Sequence, residues 1–156
     1  MTPSLRKILD NIAYPAILVG NRTDVIAWNA PVTALFGDFG SLAAAERNMT
    51  WQVFANPSLR ERVADWETYA AYAIAIFRGY FDSYIGDPWF TSFVEELKQV
   101  SPFFREHWDL HDIRNKAEMI IEFIGPGRTR QRYDISSFFD VNGNKDIHFC
   151  VYTPID

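Results

Sequence analysis

Apolar and polar positions along the chain change their spacing twice, and the changes divide it into three zones. In the first, Leu5, Ile8, Leu9 and Ile12 recur at helical steps after Pro3 and Ser4. That predicts a short amphipathic helix closed by Pro15, because the residue before a proline is pushed out of helical geometry. Residues 16–19 (Ala-Ile-Leu-Val) read as a strand, 20–23 as a turn and 24–28 as a second strand. Asn29 is placed to cap a following helix, with Pro31 in its first turn and Val32, Leu35 and Phe36 on its buried side. Gly37 closes it. Residues 48–113 form the helical zone. From Pro57 onward Val63, Trp66, Ala70, Ala73, Phe77 and Phe81 recur every three or four residues. Gly86-Asp87-Pro88 breaks that run, and a helix ending near Val100 carries Phe90, Phe93, Val94 and Leu97 inward. Ser101-Pro102 then opens another, with Ser101 as N-cap.

The last zone changes period again. Residues 118–124, 128–141 and 146–152 are rich in β-branched and aromatic side chains, and two glycine-containing turns separate them. The second, Asn142-Gly143, is a strong hairpin signal. Two strands, a helical block and three more strands predict an α+β layout with one five-stranded antiparallel sheet, its large helical insertion covering one face. The length of 156 residues suits one domain spanning 1–156.

Composition sharpens this picture. Hydrophobic residues make up 48% and aromatics 16%, which excludes a disordered chain. Fifteen basic against 20 acidic residues leave a net charge of −5. Such a domain lacks the basic face that grips nucleic acid by itself. Cys150 is the single cysteine, so no internal disulfide forms, as expected of a cytoplasmic protein. The opening residues do not resemble a signal peptide, and no apolar run approaches the roughly 20 residues that cross a bilayer.

Candidate chemistry is sparse. No nucleophile elbow, phosphate-cradling glycine loop or dinucleotide fingerprint occurs, so no enzyme and no cofactor is predicted. His107 and His111 stand four apart, a spacing that suits metal or haem ligation, with Asp109 or Asp112 nearby. Trp108 stands where a zinc-protease helix has glutamate, and the ordinary reading is a helix end. Arg128, Arg130 and Arg132 alternate, which puts them on one strand face, either to hold an anion or as a solvated surface. Cys150 reads as inert packing.

The aromatic excess falls in the helical zone, on Trp51, Phe54, Trp66, Tyr69, Phe77 and Phe81. Ala70, Ala71, Ala73 and Ala75 interleave with them. Small residues opposite large ones leave room for a guest, and Arg47, Asn48 and Arg78 are the nearest polar groups to anchor its head.

Several motifs in order carry a resemblance. Residues 24–29 (Asp-Val-Ile-Ala-Trp-Asn), 35–38 (Leu-Phe-Gly-Asp) and 46–48 (Glu-Arg-Asn) are followed by Phe54 with Asn56-Pro57 and by Asp65-Trp66-Glu67. Ser101-Pro102 with Phe104, Trp108, His111-Asp112 and Val151-Tyr152-Thr153 complete the series. Across residues 4–153 the chain resembles the MmyB-like transcription regulator ligand-binding domain. The resemblance implies a PAS-like sensor with a small-molecule pocket, and a long-chain fatty acid as a ligand class. It implies that DNA is read by a separate Xre-type helix-turn-helix, absent before Met1. A homodimer is the expected assembly. Its signature positions fall on Trp28, Asn29, Arg47, Asn48, Phe54, Trp66, His111 and Asp112. The family's His-Pro-x-x-Gly turn is replaced here by Phe123-Ile124-Gly125-Pro126-Gly127. The ligand-binding set expected from pattern and resemblance together is Trp28, Asn29, Arg47, Asn48, Trp51, Phe54, Trp66, Tyr69, Phe77 and Arg78. A dimerisation module with a solid core is the rival, and a metal or haem protein using His107 and His111 a third reading.

Overall fold

A computed structural model describes residues 1–110 and 119–156. Helix α1 (Pro3–Asn11) is capped by Thr2, whose hydroxyl accepts from Leu5 N at 3.2 Å. It stops three residues before the point predicted from Pro15, with Ile12 already extended. The reason lies downstream. Carbonyls of Ile12 and Tyr14, which a continuing helix would occupy, accept from the Asn29 side chain at 3.1 and 2.7 Å. Asn29 therefore does not cap the next helix. Its side-chain oxygen accepts from Ala16 N at 3.0 Å, and α2 (Val32–Phe36) starts without a side-chain cap.

Strands β1 (Ala16–Gly20) and β2 (Val25–Trp28) pair antiparallel. Every residue of β1 is buried, as befits a strand covered on both faces. Beyond α2 come α3 (Met49–Ala55) and α4 (Pro57–Arg62). After these run α5 (Trp66–Ser83), α6 (Pro88–Val100) and α7 (Pro102–Trp108). Val63 does not continue a helix: it bridges to Phe123 at the sheet edge, and Asp65 caps a new helix beginning at Trp66. Ser101 does cap α7, accepting from Phe104 N at 3.1 Å.

Strands β3 (Met119–Ile124), β4 (Arg130–Val141) and β5 (Asn144–Ile155) complete a five-stranded antiparallel sheet, in the order β2-β1-β5-β4-β3. With its helical cap inserted between β2 and β3, the fold is the predicted α+β layout. Asn142 and Gly143 take positive φ of 54° and 76°, the pair of left-handed residues that a tight β4–β5 hairpin demands. Arg128 sits in a single turn before β4, with only Arg130 and Arg132 on the strand, so the three arginines do not form one row. Arg130 pairs with Glu122 across the sheet at 3.2 Å.

Two apolar layers follow from strand alternation. Ile17, Val19, Ile121, Ile135 and Tyr152 face the cap and join its aromatic core. Ala16, Leu18 and Ala27 face the other way, under Leu9 of α1. That second layer is thin. Ile8, Phe138 and Phe139 stand more than half exposed beside it.

Candidate functional site

Where the cap meets the sheet, the packing leaves a cavity of about 60 Å³. Its floor is the inner face of three strands: Ile17 and Val19 of β1, Ile135 and Ser137 of β4, and His148, Cys150 and Tyr152 of β5. Residues at every second position reach it because strand side chains alternate. Its roof is α5, which presents Tyr69, Tyr72, Ala73 and Ile76 at three- and four-residue steps. Met49, Thr50 and Val53 of α3 close one side, together with Thr23.

The polar groups of this lining are neutral. Tyr69 interacts with Tyr152 and Tyr72 with Ser137, and burial pushes these phenols upward. Ser137 Oγ lies 3.5 Å from Cys150 Sγ, and burial pushes that thiol up to about 11. Thr23 and Thr50 hydroxyls are 2.8 Å apart. His148 Nδ1 is hydrogen-bonded to the Tyr80 hydroxyl of α5, and burial lowers the imidazole to about 4. Among the described residues no lysine or arginine lines the cavity.

A second concavity of about 710 Å³ opens on the outside between the β1–β2 turn, α3 and α6. Trp51, Trp89 and Phe93 form its aromatic wall, and Arg22, Arg47, Asp87 and Glu96 lie among its charged residues. Arg22 bonds Asp87 at 3.1 Å and lies 5.0 Å from the Trp89 ring centre, tying the sheet turn to the cap. Asn48 stands between the two spaces. It accepts from Trp51 N at 3.1 Å and Thr23 Oγ1 at 3.0 Å, and donates to Arg22 O at 2.8 Å.

The expected ligand residues are thereby dispersed. Tyr69 alone among them lines the cavity, while Arg47, Asn48 and Trp51 line the outer cleft. Arg47 is committed to the carbonyls of Phe39 (3.0 Å) and Leu42 (3.1 Å) and lies 5.8 Å from the ring centre of Trp28. Asn29 holds backbone, as described above. Phe54 and Trp66 pack edge to face, and Trp66 Nε1 donates to Val53 O at 3.0 Å. Phe77 is fully buried among Phe90, Phe93 and Trp108. Arg78 lies over Trp108 and donates to its carbonyl. His107 Nδ1 bonds Phe103 O at 2.9 Å; His111 and Asp112 lie outside the described residues. Among the described residues no group of three or more histidines, cysteines or carboxylates is placed to hold a metal.

Pattern reading missed most of the floor, His148 included. The available signal was the alternation His148, Cys150, Tyr152 on one strand, matched to Tyr69, Tyr72 and Ala73 on the long helix.

Residues 1–156 match the family model described as the MmyB-like transcription regulator ligand binding domain. Among solved structures the chain is similar to the PAS domain of an HTR-like protein from Haloarcula marismortui, at 8% identity and a TM-score of 0.42. That match covers 97% of this chain and 95% of the other. No curated protein matches at a significant level.

Proposed function

This chain belongs to the family of MmyB-like transcription regulator ligand-binding domains, and from that premise we propose that residues 1–156 form one sensing unit whose ligand lodges between sheet and cap. The family is one of regulator domains, not enzymes. The observation that carries the reading is the cavity under α5: apolar walls with a few neutral polar groups, the usual make-up of a small-molecule site. The ligand is a small apolar or amphipathic molecule of the fatty-acid-like class.

Size gives the mechanism. A space of about 60 Å³ is well under the roughly 150 Å³ that accepts a benzene ring. A longer molecule enters only if the cap lifts from the sheet. Ligand binding then favours the lifted packing over the closed one, and that population shift is the signal. The shift reaches DNA through a separate helix-turn-helix, in the cytoplasm. Among the described residues no helix is long and apolar enough to cross a membrane.

We also propose that the unit works as a homodimer. Ile8, Phe138 and Phe139 are each more than half exposed around one groove, and a two-fold contact between copies covers them together. Sedimentation over a concentration range tests this: Phe138→Asp abolishes the dimer if the account holds and leaves it intact if it does not.

Organic extraction of the purified protein followed by mass spectrometry tests the sensing role, alongside thermal shift against fatty acids and alcohols of graded chain length. A stoichiometric lipid-like molecule, or a saturable rise in melting temperature, is expected. A protein with no extractable ligand and no response to any chain length refutes it.

A further inference from the structure

Beneath α5 one polar nitrogen is left over. His148 is 4% exposed and sits on β5 opposite Val19 and Phe139. Tyr80 stacks on its ring at 5.6 Å and 21°, and Phe139 packs against it at 5.2 Å and 31°. Nδ1 is taken by the Tyr80 hydroxyl. Nε2 has no partner. Yet among the described residues no fully enclosed side-chain nitrogen or oxygen lacks one, so Nε2 borders open space. The open space His148 lines is the cavity. The other polar groups there are already engaged: Thr23 with Thr50, Tyr69 with Tyr152, and Ser137 with Tyr72 and Cys150.

We infer that His148 is the residue that recognises the ligand's polar atom, and that the ligand presents to Nε2 a single neutral oxygen, a hydroxyl or a carbonyl, on an apolar body. The inference rests on the sensing role proposed above and fixes which head group the same cavity selects. A neutral imidazole has one donor and one acceptor nitrogen, and a phenol both donates and accepts. With a carbonyl ligand, Nε2–H donates and Nδ1 accepts from Tyr80. With a hydroxyl ligand, Nε2 accepts while Nδ1–H donates to Tyr80, whose own hydroxyl turns to suit. A fatty acid meets this site as its neutral acid, taking up a proton at a cost in affinity: among the described residues the lining holds no cation, burial keeps His148 uncharged, and an unpaired charge in an apolar space is strongly disfavoured. Tyr80 belongs to the cap and His148 to the sheet, so the recognised oxygen acts on the contact that joins the two layers.

The test uses three probes of one chain length, 1-hexanol, hexanoate and n-hexane, on the full chain with ¹⁵N-labelled histidine and labelled isoleucine methyls. 1-Hexanol is expected to bind at least tenfold more tightly than hexanoate and to shift the His148 Nε2 resonance together with the Ile17 and Ile135 methyls. His148→Phe is expected to lose roughly five- to tenfold in 1-hexanol affinity, the worth of one neutral hydrogen bond, with n-hexane changed less than twofold. The nitrogen shift on the unaltered protein decides the matter even if that variant fails to fold. Methyl shifts without any movement of Nε2, or a preference for hexanoate, overturn the assignment while leaving the sensing role standing. Binding by none of the three overturns both.

Discussion

Replacing Asn29 by alanine separates scaffold from ligand contact at the position where the family signature and the structure most need reconciling. Asn29 is 2% exposed and makes three hydrogen bonds, accepting from Ala16 N at 3.0 Å and donating to the carbonyls of Ile12 and Tyr14. Alanine strands the Ala16 N–H in the buried first residue of β1, a loss of about 1–3 kcal/mol. The two carbonyls lie nearer the surface, where water partly replaces the amide, adding about 0.5–1 kcal/mol each. The sum is about 2–5 kcal/mol, a large part of the stability of a domain this size. Urea unfolding followed by tryptophan fluorescence reads it directly. Asn29→Asp carries a sharper signature. Its second oxygen faces two carbonyl oxygens, which raises the folded-state carboxyl pKa above the unfolded value. Stability is then retained at low pH and lost as pH rises through that raised pKa. Ligand-induced stabilisation survives in Asn29→Ala, since the residue does not line the cavity. A change within about 0.5 kcal/mol, the range of ordinary surface substitutions, refutes the scaffold role.

Ser101→Ala removes the buried N-cap of α7 and is expected to destabilise by about 1 kcal/mol in the same urea assay. Trp66→Phe leaves the Val53 carbonyl near the end of α3 without its indole donor and is expected to lose about 2 kcal/mol. His148 gives a pH signature. Its pKa falls from 6.5 to about 4 on folding, so its stabilising effect is complete above 6.5 and is lost as pH drops toward 4. That window is worth about 3 kcal/mol at 1.36 kcal/mol per unit. It appears as the difference between the pH–stability curves of wild type and His148→Phe, and an imidazole titrating near 6.5 by NMR contradicts it.

Short-range pattern located the elements well because caps and alternation are local. Ser101 and Asn142-Gly143 sit where residue type alone places them. Boundaries set by distant partners escaped it. Helix α1 stops early because Asn29, fifteen or more residues away, claims its carbonyls, and Val63 leaves its helix to bridge Phe123. Strand β5 runs past the predicted 146–152 at both ends because β4 stays paired with it. The aromatic excess pointed to the cap, but Phe54 and Trp66 spend their surface on each other, and Phe77 on Phe90, Phe93 and Trp108, and not on a guest. The cavity depends on contacts such as Tyr80 with His148, 68 residues apart, which no periodicity announces.

The most direct test of a ligand site between sheet and cap is methyl NMR of the unaltered protein titrated with 1-hexanol. Saturable shifts confined to Ile17, Val19, Val53, Ile76 and Ile135 are predicted, since these side chains surround the cavity. Shifts that appear instead at Ile8 and Val141 beside the outer groove, or none at any concentration, contradict it.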